Sequence, residues 1–326
     1  KNVLQTGEDH DRCRGLVIHS VHNALPGHNT EHLPDNVQDS GVHCSILCNR
    51  LHKKIGKGYP VRDDERKKEA GPMNNLENAA SHCSAMIERS SRIVLLSGAG
   101  MSTSAGLPDF RGPDGIYRRK LGVDPEKIFD IDWFRRDPSF FYRFHREFLG
   151  SLEKIEPTFA HRFFASLEKE GKLSGIITQN IDSLHQRAGS SKVLEFHGGV
   201  WSSFCTSCGK TWGYRESLAM AFANDVPRCD SCAGVIKPDI VFFGEMVKHL
   251  EESRELARGA DLFFVVGSSL NVTPAALLPS LPGGRIVVVN KGEIARHYLP
   301  PERIDLLVEE DIDTFFRAVE RAREQA

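Results

Sequence analysis

The chain has 326 residues, with 42 Lys+Arg against 44 Asp+Glu, a formal net charge of −2, and 40% hydrophobic and 26% charged residues. These proportions belong to a folded globular protein and exclude collagen-like, coiled-coil and wholly disordered chains. Its apolar runs, of which Leu262–Val266 is typical, fall far short of the roughly 20 residues of a membrane-spanning helix. The balanced charge gives no footprint for nucleic acid. Neither a membrane nor a specific nucleic acid is expected as a partner.

Residues 1–72 hold seven of the fourteen histidines, show no helical or strand period, and end in a charge run, Arg62–Glu69. Such a segment buries too little apolar surface to offset its ordering entropy. It is expected to be a disordered or non-native extension, with Met73 as the natural start and no secretory leader ahead of it. His43, Cys44, Cys48 and His52 could hold a metal, but their spacing matches no common finger, and they read as part of a biased tail. An amphipathic stretch follows, with Leu76, Ala79, Ala80, Cys83, Met86 and Ile87 on one helical face.

From residue 92 short apolar runs alternate with helical segments. The runs are 93–96, 175–178, 193–196, 262–266, 285–289 and 304–308; the helices are expected at about 139–153, 158–170, 180–188, 248–258 and 312–324. Continuous apolar strands imply burial on both faces, as in a parallel sheet covered by helices. The fold class is therefore α/β: a doubly wound, parallel-sheet, Rossmann-like domain over 73–326, with a small zinc-ribbon module inserted at about 200–236.

The first strand ends in a glycine-rich turn, Gly98-Ala99-Gly100-Met-Ser102-Thr-Ser-Ala-Gly106. Such glycines let backbone N–H groups approach a pyrophosphate, although Gly106 arrives too late for a regular dinucleotide fingerprint, and a plain tight turn is the other reading. Leu107, Pro108, Asp109, Phe110 and Arg111 then add a rigid turn, a carboxylate, a ring and a guanidinium. Thr178-Gln179-Asn180-Ile181-Asp182 begins where another strand stops, the place where open α/β sheets bind ligands; Asn180 and Asp182 could equally cap a helix. His197-Gly198 repeats the arrangement, and a histidine at a strand end is either structural or a general base.

Cys205, Cys208, Cys229 and Cys232 form two C-x2-C knuckles separated by twenty residues. Two such turns complete a tetrahedron of thiolates around one structural Zn2+, which leaves no open position for water. Gly209 and Gly234 relax the turns. Thiolates of this kind point to a reducing compartment, the cytoplasm.

Taken together, these residues resemble the sirtuin family. Gly98–Arg111, Thr178–His185, His197-Gly198, the paired knuckles, Lys237–Glu245 (Lys-Pro-Asp-Ile-Val-Phe-Phe-Gly-Glu), Gly267–Ala275 and Val288–Asn290 occur in that family's order over about 74–322. The match is most similar to the bacterial and archaeal branch. The resemblance implies an NAD-dependent protein-lysine deacylase whose partners are acylated lysine side chains. It places Ala99, Ser102 and Arg111 in the phosphate and ribose region, within a cofactor loop that also holds Gly98, Gly100 and Asp109. Phe110 shields the reactive ribose carbon, and Gln179 contacts the ribose. Asn180 and Asp182 hold the nicotinamide amide and ribose, and His197 is the catalytic base. Gly267, Ser268, Ser269 and Asn290 fall on the adenosine side, and Val241, Phe242, Phe243, Gly244 and Glu245 pair with the substrate peptide. Sirtuins that favour acidic acyl groups carry a Tyr and, three residues on, an Arg. Here the aligned pair is Tyr142 and His145, so acetyl or another neutral acyl group is expected. Arg143 and Arg146 should point elsewhere on that helix. The alternative is an NAD glycohydrolase or ADP-ribosyltransferase using the same pocket; a zinc-ribbon binding module would leave the polar strand ends unexplained.

Overall fold

The computed structural model describes residues 75–109, 115–116 and 124–326. The expectations for 1–72, Met73, Phe110 and Arg111 lie outside the described residues. Among those described, the strands are β1 (Ile93–Ser97), β2 (Leu173–Thr178), β3 (Val193–Glu195), β4 (Gly198–Cys205), β5 (Thr211–Gly213), β6 (Ile236–Ile240), β7 (Leu262–Val266), β8 (Arg285–Val289) and β9 (Ile304–Val308). The helices are α1 (Asn75–Arg89), α2 (Ile131–Arg136), α3 (Pro138–Leu152), α4 (Phe159–Lys169), α5 (Leu184–Arg187), α6 (Tyr214–Ala223), α7 (Leu250–Arg258) and α8 (Ile312–Glu324).

Six strands form one sheet in the order β3-β2-β1-β7-β8-β9, every neighbouring pair parallel. The apolar runs are continuous because successive residues are buried on opposite faces. Ile93, Leu95, Leu262, Phe264, Val287 and Val289 pack with Phe163, Phe164, Phe315 and Phe316 of α4 and α8. Val94, Leu96, Phe263, Val265, Ile286 and Val288 pack instead with Ala257 of α7 and with Ala275, Ala276 and Leu278. This is the doubly wound arrangement that the sequence pattern predicts.

From β1 the chain first winds outward through β2 and β3, then returns to lay β7 against the other side of β1. The order thus reverses between β1 and β7, where such sheets open a ligand crevice. The glycine turn sits at this point, and its glycines answer a packing demand of their own. A Cβ on Gly98 would stand 2.6 Å from Gly267 O, and one on Gly267 would stand 2.3 Å from Met101 N. Gly98 N–H donates to Val266 O and Gly100 N–H to Gly267 O, both at 2.9 Å. Beyond Gly98 the turn is a 3-10 helix, Ala99–Ala105, closed by Gly106 in the left-handed region.

The cysteine segment forms a second, antiparallel sheet in the order β5-β4-β6, with α6 beside it, so the module runs slightly wider than 200–236. Its own apolar centre is small: Cys205, Cys229 and Ile236, with Trp212 and Met220 against them. A separate aromatic cluster (Phe129, Phe134, Phe141, Tyr142 and Phe242) joins α2 and α3 to the end of β6. Helix α5 begins at Leu184, four residues later than the expected 180, and Ser183 before it has φ 62°.

Candidate active site

The C-terminal ends of β1, β2, β3, β7, β8 and β9 open on one cleft of about 1410 Å³, larger than the ~300–1,000 Å³ of a pocket for one drug-sized ligand. Gly98, Ala99, Gly100 and Asp109 line it from the β1 side; Gln179, Asn180 and His197 from β2 and β3; Gly267, Ser268, Ser269 and Asn290 from β7 and β8. Val241–Glu245, leaving β6, forms the facing wall.

Asn180 is held from three directions. Its Nδ2 donates to Gly98 O at 3.1 Å and to Ser102 Oγ at 3.2 Å, and its backbone N–H donates to Thr178 Oγ1 at 3.1 Å. Ser102 Oγ in turn donates to Asp182 Oδ2 at 2.7 Å, while Asp182 Oδ1 accepts the Leu184 N–H at 2.9 Å. Asp182 therefore both ties down the first N–H of the short α5 and braces the site. Ser102 and Asp182 do not line the cleft; they stand behind Asn180. Burial raises the Asp182 carboxyl above its ordinary range, opposed by the Leu184 and Ser102 hydrogen bonds. Gln179 Nε2 donates to Ser268 Oγ at 2.9 Å and ties the β2 end to the β7 end across the crevice.

His197 joins the two walls. Its Nδ1 lies 3.1 Å from Gln179 O, and its own carbonyl accepts the Val241 N–H at 2.8 Å. A carbonyl can only accept, so Nδ1 carries the proton and Nε2 of the neutral ring carries none. Burial lowers the pKa of His197, with the Gln179 contact acting the other way. Gly198 follows because β4 passes directly against β6: a Cβ there would lie 2.0 Å from Asp239 O, and its φ is +70°.

The 241–245 segment is fixed largely by its own chain. Phe243 N–H donates to Phe129 O at 2.7 Å, and Phe243 O accepts from Ile131 N–H at 3.1 Å. Glu245 N–H donates to Phe242 O at 3.0 Å, and Glu245 Oε2 accepts the Phe242 N–H at 2.8 Å. Gly244 is thus the residue of this segment whose N–H has no such partner among the described residues. Glu245 also meets a buried ammonium. Lys237 Nζ, on β6, donates to Glu245 Oε2 at 2.9 Å and to Ile240 O at 2.6 Å, and stands 4.0 Å from the Phe242 ring centroid. Lys237 opens the Lys237–Glu245 motif, but a lone lysine in a strand carries no local signal of a role.

Tyr142 and His145 are placed differently from expectation. Neither lines the cleft. The Tyr142 hydroxyl donates to Ile236 O at 2.6 Å, and His145 stacks on Phe141 at 4.9 Å, both buried behind Phe242. The helix turns the neighbouring arginines away: Arg143 donates to Ser139 Oγ, and Arg146 to the carbonyls of Ala221, Asn224 and Asp225.

All four cysteine Sγ atoms lie within 4.8 Å of one another. Cys205–Cys232 and Cys208–Cys229 are 3.4 and 3.7 Å apart, close to the about 3.8 Å edge of a tetrahedron with Zn–S bonds of ~2.3 Å. Ser207 and Ser231 N–H groups each donate to a cysteine sulfur at 3.4 Å. The cluster fits a structural zinc.

A model of the Sir2 family matches residues 98–274. The NAD-dependent protein deacetylase of Thermotoga maritima is 45% identical over 213 residues, covering 64% of this chain and 85% of that protein. Among solved structures, a Sir2 complex with deacetylated p53 peptide and 3′-O-acetyl-ADP-ribose superposes with a TM-score of 0.68 at 40% identity, covering 74% of this chain and 96% of that one. Sir2Tm bound to a propionylated peptide gives 0.66 at 38%, covering 75% and 98%. The chain belongs to the Sir2 family. In this sirtuin, the cleft also takes Asn271, Thr273, Lys291 and Asp311, which sequence reasoning did not single out. The strand-end rule could have found Lys291 and Asp311, since both follow the ends of β8 and β9.

Proposed function

We propose that this chain removes acetyl or another neutral acyl group from protein lysine in an NAD-dependent reaction, giving free lysine, nicotinamide and O-acyl-ADP-ribose. The observation that carries the reading is His197: an imidazole with an unprotonated Nε2, held between the strand ends and the 241–245 segment. NAD supplies, when bound, the ribose carbon that takes the acyl oxygen as nicotinamide leaves and the hydroxyl that receives the acyl group. The described residues fit it. Gly98, Ala99, Gly100 and Gly267 present backbone to the cleft at the β1–β7 junction, where the phosphates would lie, and Asn180, braced by Ser102 and Asp182, offers an amide at a fixed position for the nicotinamide side. Gln179, Ser268, Ser269 and Asn290 run on toward the adenosine end.

The residues' own roles follow. Asn180, held from behind by Ser102 and Asp182, orients the cofactor in a site whose polar groups are already paired, so little reorganisation is needed during reaction. His197 Nε2 takes the proton of a ribose hydroxyl, help that is typically ~10²–10⁴-fold. The 241–245 backbone holds the peptide as an added strand, which favours loose side-chain preference. Phe129, Ile240 and Phe242 give the cleft an apolar stretch beside His197 and the 241–245 segment, which supports a neutral acyl group over a carboxylate-bearing one. Residues 73–326 suffice for the reaction, since every group named lies within them. The thiolate cluster is compatible with a reducing compartment and supports a cytoplasmic setting; among the described residues no helix is long and apolar enough to cross a membrane.

The test is nicotinamide release from NAD with and without an acetyl-lysine peptide, followed by the peptide's mass, with a succinyl peptide in parallel. Peptide-dependent release with loss of the acetyl mass is expected. Release with an unchanged peptide would move the assignment to NAD hydrolysis or ADP-ribosyl transfer.

A further inference from the structure

Beneath the glycine turn lies a buried polar chain that touches neither the cleft nor solvent. His185, on α5, is 1% exposed, and its Nε2 is 2.8 Å from Ser97 Oγ at the end of β1. Ser97 Oγ donates to Thr178 Oγ1 at 2.9 Å at the end of β2. Thr178 Oγ1 is the atom that accepts the backbone N–H of Asn180. Behind His185 stands His161 of α4, fully buried, with ring centroids 4.7 Å apart. His161 Nδ1 accepts the Thr158 N–H at 3.3 Å and lies 2.8 Å from Thr158 Oγ1, so it takes the Thr158 hydroxyl proton as well. The chain of contacts thus runs from His161 through His185, Ser97 and Thr178 to the backbone of Asn180.

The protons on this chain are determined by its donors. Burial pushes His185 down to about 3 and His161 well below the ordinary histidine range, so both rings are neutral near pH 7. A backbone N–H donates to His161 Nδ1, which puts that ring's proton on Nε2. With the Ser97 hydroxyl donating onward to Thr178, it accepts from His185 in the tautomer whose proton is on Nε2. The remaining nitrogens, His161 Nε2 and His185 Nδ1, have no hydrogen-bond partner. Burying two imidazoles with one unpaired nitrogen each is unfavourable, and a leucine and a phenylalanine would fill the space without that cost. A requirement beyond packing accounts for them.

We infer that His185 is a positioning residue: its Nε2–H, passed through the Ser97 and Thr178 hydroxyls, sets where the Asn180 backbone sits, with His161 fixing the His185 ring from behind. The inference rests on the deacylase reading for its effect on turnover, and on the hydrogen-bond chain alone for its tautomer. Glutamine places an N–H where Nε2 stands; phenylalanine keeps the ring volume and loses the donor.

The experiment compares the full chain with His185→Phe, His185→Gln and Ser97→Ala in peptide-dependent nicotinamide release, with kcat and both KM values separated and thermal midpoints recorded. His185→Phe and Ser97→Ala should lower kcat about tenfold, equivalent to ~1.4 kcal/mol, with the peptide KM within about twofold. His185→Gln should recover to within about threefold of the unmodified chain. Unchanged kcat in Ser97→Ala, which retains fold and volume even should His185→Phe not fold, would overturn the inference. So would a glutamine variant no better than phenylalanine. If the unmodified chain releases no nicotinamide with any acyl peptide, the deacylase reading fails instead. Nitrogen-15 shifts of His185 then decide the chain itself: a proton on Nε2 supports it, and one on Nδ1 refutes it.

Discussion

The two walls of the cleft are built on opposite principles. The strand-end wall rests on a sheet covered by apolar layers on both faces, and its polar groups are cross-linked from β1 to β2 to β7 through Ser97, Thr178, Gln179 and Ser268. The facing wall, 241–245, hangs from a module whose own centre is three buried residues with two more packed on them. So small a core cannot hold a fold by burial alone. The thiolate cluster that fits a metal, the Lys237–Glu245 ion pair and the aromatic cluster reached through Phe242 make up the difference. The cofactor side should therefore survive damage that removes the peptide side.

Cysteine replacement breaks the comparison most sharply. Structural zinc contributes apparent free energies of ~10–16 kcal/mol to small metal folds. Cys229→Ala, or a strong chelator, should open 198–240 to protease and abolish peptide turnover. The six-stranded sheet should still melt cooperatively and still bind NAD. Loss of the sheet together with the module would show that the two walls are one unit.

His197 lies where the walls meet, bonded to Gln179 O on one side and to Val241 N on the other. His197→Ala should reduce deacylation by ~10²–10⁴-fold while NAD binding by calorimetry persists. Its burial lowers the pKa from the ordinary value of 6.5, and the base must be neutral to act. Turnover should therefore be level above pH 6.5, with the acid limb lying below that value. A limb above 6.5 would contradict the burial seen here.

Lys237→Met tests the ion pair. The ammonium is almost fully buried, whereas Glu245 is 27% exposed and can rehydrate. The cost should be roughly 1–3 kcal/mol, read as a higher peptide KM with NAD affinity unchanged. Equal losses on both sides would mean that the pair supports the whole cleft.

How much of this could be read in the chain differs between the walls in the same way. Strands, helices and the strand-end clusters announce themselves through local periodicity and chain punctuation, and the knuckles through spacing. Contacts between distant segments leave no such mark. Gly98 looked like a phosphate glycine, yet its nearest obligation is to Gly267 O. Helix α5 starts late because the chain turns at Ser183, φ 62°, where Asp182 Oδ1 accepts the Leu184 N–H while its other oxygen holds Ser102, a residue 80 positions away. Glu245 looked like a peptide contact and is also the partner of Lys237. Tyr142 and His145 are placed by the family resemblance of a short motif, which says nothing of the aromatic cluster in which the structure buries them.

That same pair supplies the smallest and most specific effect. Burial, helped by the Arg146 charge, holds His145 down at about 3 against an ordinary 6.5. Above pH 6.5 both folded and unfolded chains carry it neutral, and it gives no pH dependence. Between 6.5 and about 3 the unfolded chain binds a proton that the folded chain refuses, so stability falls with falling pH, by up to ~1.36 kcal/mol per unit. His145→Phe keeps the stack on Phe141 and removes the titration. At pH 5.5 it should recover about 1.4 kcal/mol relative to its value at pH 7.5, or ~3–5 °C in the melting midpoint. His161 and His185 retain their own share of the acid sensitivity, so the slope should shrink without vanishing. An unchanged slope would mean that His145 is hydrated in solution and that the cluster behind Phe242 is open enough to admit water, in which case the module-side wall would be looser still than its small core implies.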